Sequence, residues 1–413
     1  MEPAGRIEPQ PWMAAEPTRA VIRALTAAGD EARFVGGCVR DAVLGRAVHD
    51  VDIATPVPPG RVVRLLEAAG LRALPTGLDH GTVTAVTGGR HFEITTLRRD
   101  VETDGRHAKV AFTDDWAADA ARRDFTINAL YCDPDGTLFD PVGGLADLRR
   151  GRVRFVGDPD RRIAEDGLRI LRFFRFYAHY GRPPIDGAGL AACRDRAGML
   201  DRLSGERVRD ELLRLLAAPE PGPVAALMAE AGVLARVLPE AGDERRLAAL
   251  AAIEAELGER DPLRRLAALL ATDGPGAARS AARLRLANRD RDRLVALAEP
   301  TEPPIAPDMG DRDRRRALYR WGVGLFRDRV LLAWAAERSP DTAGYRRLLR
   351  AADEWRRPEL PVRGADVVAL GIPPGPEVGR LLARLEGWWE AGDYRADRAA
   401  ALAELARLAG TRP

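Results

Sequence analysis

A chain of 413 residues is long enough for two to four domains, and its 46% hydrophobic content can supply a substantial core. With 64 basic against 62 acidic residues the net charge is +2, which excludes polyanion binding by bulk charge and leaves only local arginine clusters for that task. No apolar run is long enough to span a bilayer, and Met1 to Glu16 lacks a secretory pattern, so a soluble cytoplasmic protein is expected.

Lys109 is the only lysine, a usage that codon bias in a GC-rich genome explains. Cys38, Cys132 and Cys193 stand far apart without CxxC spacing, so reduced, buried thiols are expected rather than zinc or a disulfide framework.

From about Phe34 to Val156 short β-like runs alternate with glycine, proline and aspartate: Arg33-Phe34-Val35, Val51 to Ala54, Thr82 to Val86 and Phe92 to Leu97. Ala42 to Leu44 and Arg61 to Ala69 have helical character between them. This pattern predicts an α+β head with a small sheet. From Ile163 onward strand signals nearly vanish. Ile163 to Tyr180 carries Leu168, Leu171, Phe174 and Ala178 at helical spacing. Ser204 can cap a helix over Gly205 to Leu216, and Leu-, Ala- and Arg-rich helical stretches continue to Leu408. Breaks at Pro219–Pro223, Pro300–Pro307 and Pro358–Pro361 divide the chain into an expected head (20–150), an all-α neck (151–218), a body (219–355) and a tail (356–413).

Four segments carry chemistry. Phe34 to Asp41 runs from a strand through Gly36-Gly37 into a helix start, where glycine admits a close phosphate, helix N–H groups face it and Arg40 can pair with it. An ordinary strand–turn–helix has the same pattern. Asp50-Val51-Asp52 places two carboxylates on one face of a strand, about 7 Å apart, suited to paired magnesium ions or to a solvated turn. Arg122 to Leu130 (RRDFTINAL) offers arginines for a triphosphate and Asp124 or Asn128 for a ribose hydroxyl, or else a surface ion-pair cluster. In Glu165 to Arg175, Asp166, Arg169, Arg172 and Arg175 recur every three residues, which on one helix makes a slowly winding polar stripe. A solvated ion-pair face reads the same way.

Together, and in this order, these segments resemble the class II CCA-adding tRNA nucleotidyltransferases and their bacterial poly(A) polymerase relatives. Asp140 to Leu148 is similar to the family's head–neck hinge motif and Leu203 to Arg207 to its neck-helix motif. The likeness covers about residues 30 to 215, with Gly232, Leu238-Pro239-Glu240 and the stretch Gly364 to Trp389 as weaker matches.

The resemblance implies a polymerase-β-like head and template-independent addition of C, C and A to the 3′ end of tRNA from CTP and ATP, with release of pyrophosphate. It further implies Mg2+ at Asp50 and Asp52, with Glu93 completing or supporting the carboxylate set. Gly37, Arg40 and Arg123 are expected at the triphosphate, with Asp124 and Asn128 near the ribose. Asp166 and Arg169 are expected at the base edge, and Arg172 and Arg175 nearby, toward phosphates. Asp104-Gly105-Arg106-His107 resembles the flexible loop needed for the final adenosine, which argues for CCA or A addition over CC addition. A near-neutral start and mixed tail argue against a poly(A) polymerase, and the intact Asp50/Asp52 pair against an inactive RNA-binding scaffold. No histidine follows His179, so no His/Asp phosphohydrolase domain is expected. Arg289, Arg291 and Arg293, and Arg312 and Arg314 to Arg316, are candidate tRNA phosphate contacts, although interleaved Asp290, Asp292 and Asp313 favour solvated helix faces.

Overall fold

The computed structural model of the chain describes every residue except 105–106, 338–340 and 411–413. It divides into two compact units, Met1–Ala241 and Gly242–Pro413.

The first unit holds all the named strands: β1 Gly5–Arg6, β2 Arg33–Val35, β3 Val51–Thr55, β4 Arg72–Gly77, β5 Thr82–Thr87, β6 Arg90–Thr96, β7 Arg98–Asp104, β8 His107–Phe112, β9 Tyr131–Cys132 and β10 Thr137–Phe139. Eight of them form one sheet in the order β1-β10-β9-β2-β3-β6-β5-β4. Only β3 and β6 are parallel; the chain crosses between them through the helix Pro59–Ala68 and the β4–β5 pair, as a parallel pair requires. The alternation along these strands sets the two faces of the sheet. Val51, Ile53, Phe92 and Ile94 are buried, so Asp52 and Glu93, which pair in register, share the opposite face. β7 and β8 form a separate two-stranded hairpin; of the expected loop Asp104 to His107, Gly105 and Arg106 lie outside the described residues.

The sheet passes into helices through an aromatic column. Phe125 packs on Phe155 with centroids 4.8 Å apart, and Phe155 stacks on Phe173 at 5.5 Å. Phe173 lies on the helix Leu168–Tyr180. The helix expected over Ile163 to Tyr180 is in fact two, Pro159–Glu165 and Leu168–Tyr180. Asp166 between them is extended (φ −155°, ψ 109°), and its Oδ1 accepts the Leu168 N–H at 3.1 Å. A capping aspartate competes with continued helix. The expected arginine stripe therefore begins at Arg169, with Asp166 set off the helix. Ser204 is the N-cap of Gly205–Leu216.

The second unit contains helices and no named strand among its described residues. Its core includes charged side chains. Glu254 is fully buried and accepts from Arg264 Nε at 2.7 Å and Arg265 Nε at 2.6 Å, while Asp328 accepts from Arg264 and Arg293. The long helix Asp311–Ala336 kinks at Gly322, where φ is +76°. Most of the arginines weighed as phosphate contacts are engaged within this unit: Arg293 with Asp261 and Asp328, Arg315 with Asp393, Arg316 with Glu390, Arg314 with Asp311 and Arg291 with Asp292.

Candidate active site

The sequence Arg33-Phe34-Val35 forms a buried central strand, and Gly36 turns the chain into the helix Gly37–Val43. Gly36 has φ +74° and ψ −124°, a backbone that only glycine adopts without strain. At Gly37 neither φ nor a neighbouring protein atom requires glycine: an added Cβ would meet Arg40 Nη2 at an ordinary 3.7 Å. What its bare backbone keeps open is the cleft it lines. Two guanidiniums flank this turn. Arg40 donates from Nη1 to Asn128 Oδ1 at 2.7 Å and from Nη2 to Asp41 at 2.9 Å, with its Cζ 4.1 Å from the Tyr180 ring centroid. Arg123 Nη1 would stand 3.8 Å from a Cβ at Gly36.

The cleft has a volume of about 450 Å³. Asp52 reaches it from β3. Burial raises the Asp52 carboxyl to about 6, with Glu93 adding to the rise, Arg123 opposing it and Asp50 raising it further. A carboxylate in that setting is relieved by a cation, and an all-oxygen donor set suits a hard divalent one. Asp50 sits one residue ahead of β3 and is exposed; Glu93 is exposed on β6 beside Asp52. Neither lines the cleft, and among the described residues no three His, Cys, Asp or Glu side chains gather to hold one ion. A magnesium ion held by one or two carboxylates, with substrate phosphates and water as its other ligands, needs no such cage.

Across from Asp52 lies the RRDFTIN segment. It leaves the helix Trp116–Ala121, makes a single 3-10 turn at Thr126–Asn128 and enters β9. Asp124 lines the cleft and accepts Arg172 Nε at 2.8 Å, Asn128 Nδ2 at 3.1 Å and the Phe125 N–H at 2.8 Å. Burial by itself would raise the Asp124 carboxyl; Arg172, Asn128 and the Phe125 N–H hold it down at about 2. Asn128 therefore joins two charged groups, with its oxygen on Arg40 and its amide on Asp124.

The helical side of the cleft is formed by Asp166, Arg169 and Arg172. Asp166 Oδ2 accepts Arg207 Nη2 at 2.6 Å. Arg169 Nη1 donates to the Arg162 carbonyl at 2.7 Å and pairs with Glu165. The structure does not bring Arg175 into the cleft. Its Nε lies 2.7 Å from Glu211 Oε2 and its Cζ 4.2 Å from the Phe176 centroid, because position 175 has wound past the cleft-facing side of its helix. Burial lowers the Arg175 guanidinium to about 10, against the pull of Glu211.

Gly37, Arg40, Asp52, Arg123, Asp124, Asn128, Asp166, Arg169 and Arg172 thus converge on one cleft from four separate stretches of sequence. Residues 32–154 match the poly A polymerase head domain, and residues 184–244 match the probable RNA and SrmB-binding site of polymerase A. The "CCA-adding enzyme" of Levilactobacillus brevis is 33% identical over 381 residues, covering 90% of this chain and 92% of that one. The chain belongs to the CCA-adding tRNA nucleotidyltransferase family. The mitochondrial "CCA tRNA nucleotidyltransferase 1" of Danio rerio is 34% identical over 391 residues, covering 91% of this chain and 87% of that one. The crystal structure of the Bacillus stearothermophilus CCA-adding enzyme in complex with CTP superposes with a TM-score of 0.78 at 28% identity, covering 95% of this chain and 98% of that one.

Arg122, weighed with Arg123 for a triphosphate, also lines the cleft, and so does Arg207 from the neck-helix motif. The buried carboxylates behind the cleft were not singled out from the sequence. Asp119, fully buried, pairs with both Arg122 and Arg123, and Glu211 with Arg175. A local signal existed for the first, since Asp119 precedes the two arginines by three and four residues; Glu211 and Arg175 lie on different helices, and no local spacing pairs them.

Proposed function

We propose that the chain adds C, C and then A to the 3′ end of tRNA, taking CTP and ATP and releasing pyrophosphate, without a nucleic-acid template. The observation that carries this reading is the single cleft shared by Asp52 on the sheet, by Asp166 at the break between two helices and by Arg169 on the second of them. One end has the charge demand of a metal-dependent nucleotidyl transfer, and the other has edges that can read a base. The family fits the same activity.

Nucleotidyltransferases of this kind use divalent metal, and we assign the ion as Mg2+, held by Asp50 and Asp52. Bound there, it would supply charge neutralisation and ease loss of the proton from the primer 3′-hydroxyl. Glu93 would act beside them by repelling Asp52 and sharpening its demand for a cation. Arg40 and Arg123 would take the triphosphate beside the open backbone of Gly37, as charge-assisted hydrogen bonds favour. Asp124 and Asn128, locked to Arg172 and Arg40, would position the ribose. Catalysis then rests mainly on holding the α-phosphorus in line with the 3′-oxygen while the developing charge is met by fixed cations.

Base choice falls to Asp166 and Arg169. Arg207 holds one Asp166 oxygen, and a carboxylate oxygen has further lone pairs for a base amino group. Arg169 uses Nη1 on Glu165 and the Arg162 carbonyl, leaving other donors for ring nitrogen or carbonyl edges. One acceptor and one donor can match cytosine or adenine with a small tilt. Arg172 would orient Asp124, and Arg175 would act at one remove by engaging Glu211.

The finer division into head, neck, body and tail at 150, 218 and 355 is kept as our proposal, with the helical body and tail holding the tRNA. No helix among the described residues is long and apolar enough to cross a membrane; a cytoplasmic setting is proposed because tRNA and both nucleotides are available there.

Incubation of tRNA lacking CCA with CTP and ATP, followed by sequencing of the product ends, tests the reading. Ends completed to CCA support it; A-tails on unrelated RNA would replace it with poly(A) synthesis. Asp52→Ala should abolish incorporation and leave tRNA binding intact. Incorporation at the wild-type rate would reject the metal assignment.

A further inference from the structure

A fully buried carboxylate that the proposed chemistry does not use lies behind the cleft. Asp119 sits on the helix Trp116–Ala121 at 0% exposure. Its Oδ1 accepts Arg122 Nε at 2.8 Å, Arg122 Nη2 at 2.6 Å and the backbone N–H of Arg98 at 3.3 Å. Its Oδ2 accepts Arg123 Nη2 at 2.9 Å, Arg123 Nε at 3.2 Å and the Tyr131 hydroxyl at 2.7 Å. Tyr131 is held in turn, edge-on against Trp116 with centroids 5.3 Å apart.

Glu254 in the second unit also meets two guanidiniums, but Arg264 and Arg265 are themselves buried in that core. At Asp119 one negative charge meets two guanidiniums, and the surplus positive charge is kept at the cleft. Both arginine side chains retain exposure, 14% for Arg122 and 18% for Arg123, and both line the cleft. Arg123 spends Nε and Nη2 on Asp119 and carries Nη1 toward the Gly36 turn. Burial pushes the Asp119 carboxyl up, but Arg123, Arg122 and the Tyr131 hydroxyl outweigh it and hold it well below the usual carboxylate range, so the anchor stays ionised. Arg98 is fastened to the same group at the root of the β7–β8 hairpin, its N–H on Asp119 and its carbonyl on Arg122 Nε at 3.1 Å.

We propose that Asp119 is a positioning residue, which holds Arg122 and Arg123 as a fixed fork facing the polyphosphate of the incoming nucleotide, with Tyr131 completing the clamp. The inference rests on the nucleotidyl-transfer reading for its substrate. Without the carboxylate the two like charges repel and swing to solvent, and the fork must be ordered anew each time a triphosphate binds.

The test uses the full chain carrying Asp119→Asn or Tyr131→Phe. Three constants are compared with wild type: KM for CTP and ATP, KM for tRNA, and the calorimetric Kd of pyrophosphate without tRNA. In Asp119→Asn both nucleotide KM values and the pyrophosphate Kd should rise together by about tenfold, the loss expected of displaced charge-assisted bonds. Tyr131→Phe should raise them in the same pattern by about threefold, one neutral bond being removed. The KM for tRNA should stay within about twofold, since uniform loosening of the head is what a purely structural anchor would produce. Pyrophosphate affinity unchanged in a variant with wild-type circular dichroism overturns the proposal, as does a tRNA KM that rises as far as the nucleotide KM. If Asp119→Asn does not fold, Tyr131→Phe decides by the same criteria. Failure of the wild type to incorporate CTP or ATP would instead sink the functional reading, and the pyrophosphate Kd would still decide the role of Asp119.

Discussion

At Gly36 a positive φ meets an open environment: an added Cβ would have no atom nearer than 3.7 Å. The cost of Gly36→Ala is therefore backbone strain alone, about 1–3 kcal/mol. Chemical denaturation should show that loss without a change in denaturant slope, and a neutral outcome would mean the turn can be rebuilt. Asp124 makes a pH prediction of known sign. Its carboxyl lies at about 2 against an ordinary 3.8, so the folded state binds its proton less tightly than the unfolded state. The stabilisation is complete above 3.8 and is lost as pH falls through 3.8 toward 2, amounting to on the order of 2 kcal/mol. Melting curves at pH 5, 3.5 and 2.5 should show that Asp124→Asn lacks this part of the acid destabilisation. Equal slopes for both proteins would refute it.

At the scale of elements, the helix Gly205–Leu216 acts as a support for the helix Leu168–Tyr180. Arg207 and Glu211, one turn apart, reach Asp166 on one side and Arg175 and Arg172 on the other. Glu211 is 4% exposed, so Glu211→Gln leaves buried guanidiniums short of a counter-charge, at a cost of about 3 kcal/mol. The variant should melt earlier and show weaker discrimination between CTP and ATP at each step, measured as a ratio of kcat/KM values. A lower melting temperature with unchanged discrimination would confine the helix to a structural role. Much of this support was legible beforehand: the cap at Ser204, the helix after it and the arginine spacing were all in the sequence. The break at Asp166–Gly167 was not, because apolar periodicity runs through it; the interruption shows in the extended backbone of Asp166 and in the bond its carboxylate accepts from the Leu168 N–H.

For the molecule as a whole, the second unit depends on a charged core. Glu254 is fully buried between Arg264 and Arg265, and Glu254→Gln should destabilise that unit by roughly 3–5 kcal/mol. Hydrogen exchange on the full chain should then show lost protection over 244–336 with the β2–β3–β6 core of the first unit unchanged. Loss in both units would show that they unfold together. The long-range partners of the arginines near 289–293 and 312–316, Asp261, Asp328, Glu390 and Asp393, were not legible in the sequence, because they lie far from those arginines along the chain.

By itself the amino-acid sequence determined the order of the elements, the glycine turn, the two carboxylates at 50 and 52 and the arginine-rich segments, because these are encoded in periods of two and three to four residues and in local turn chemistry. The tertiary structure alone decided which of those groups meet. It put Asp52 in the cleft and left Asp50 and Glu93 at its margin, and it turned Arg175 onto Glu211. Such pairings depend on how a sheet and helices pack across long separations in sequence, and a local pattern carries no record of the angle at which they do so.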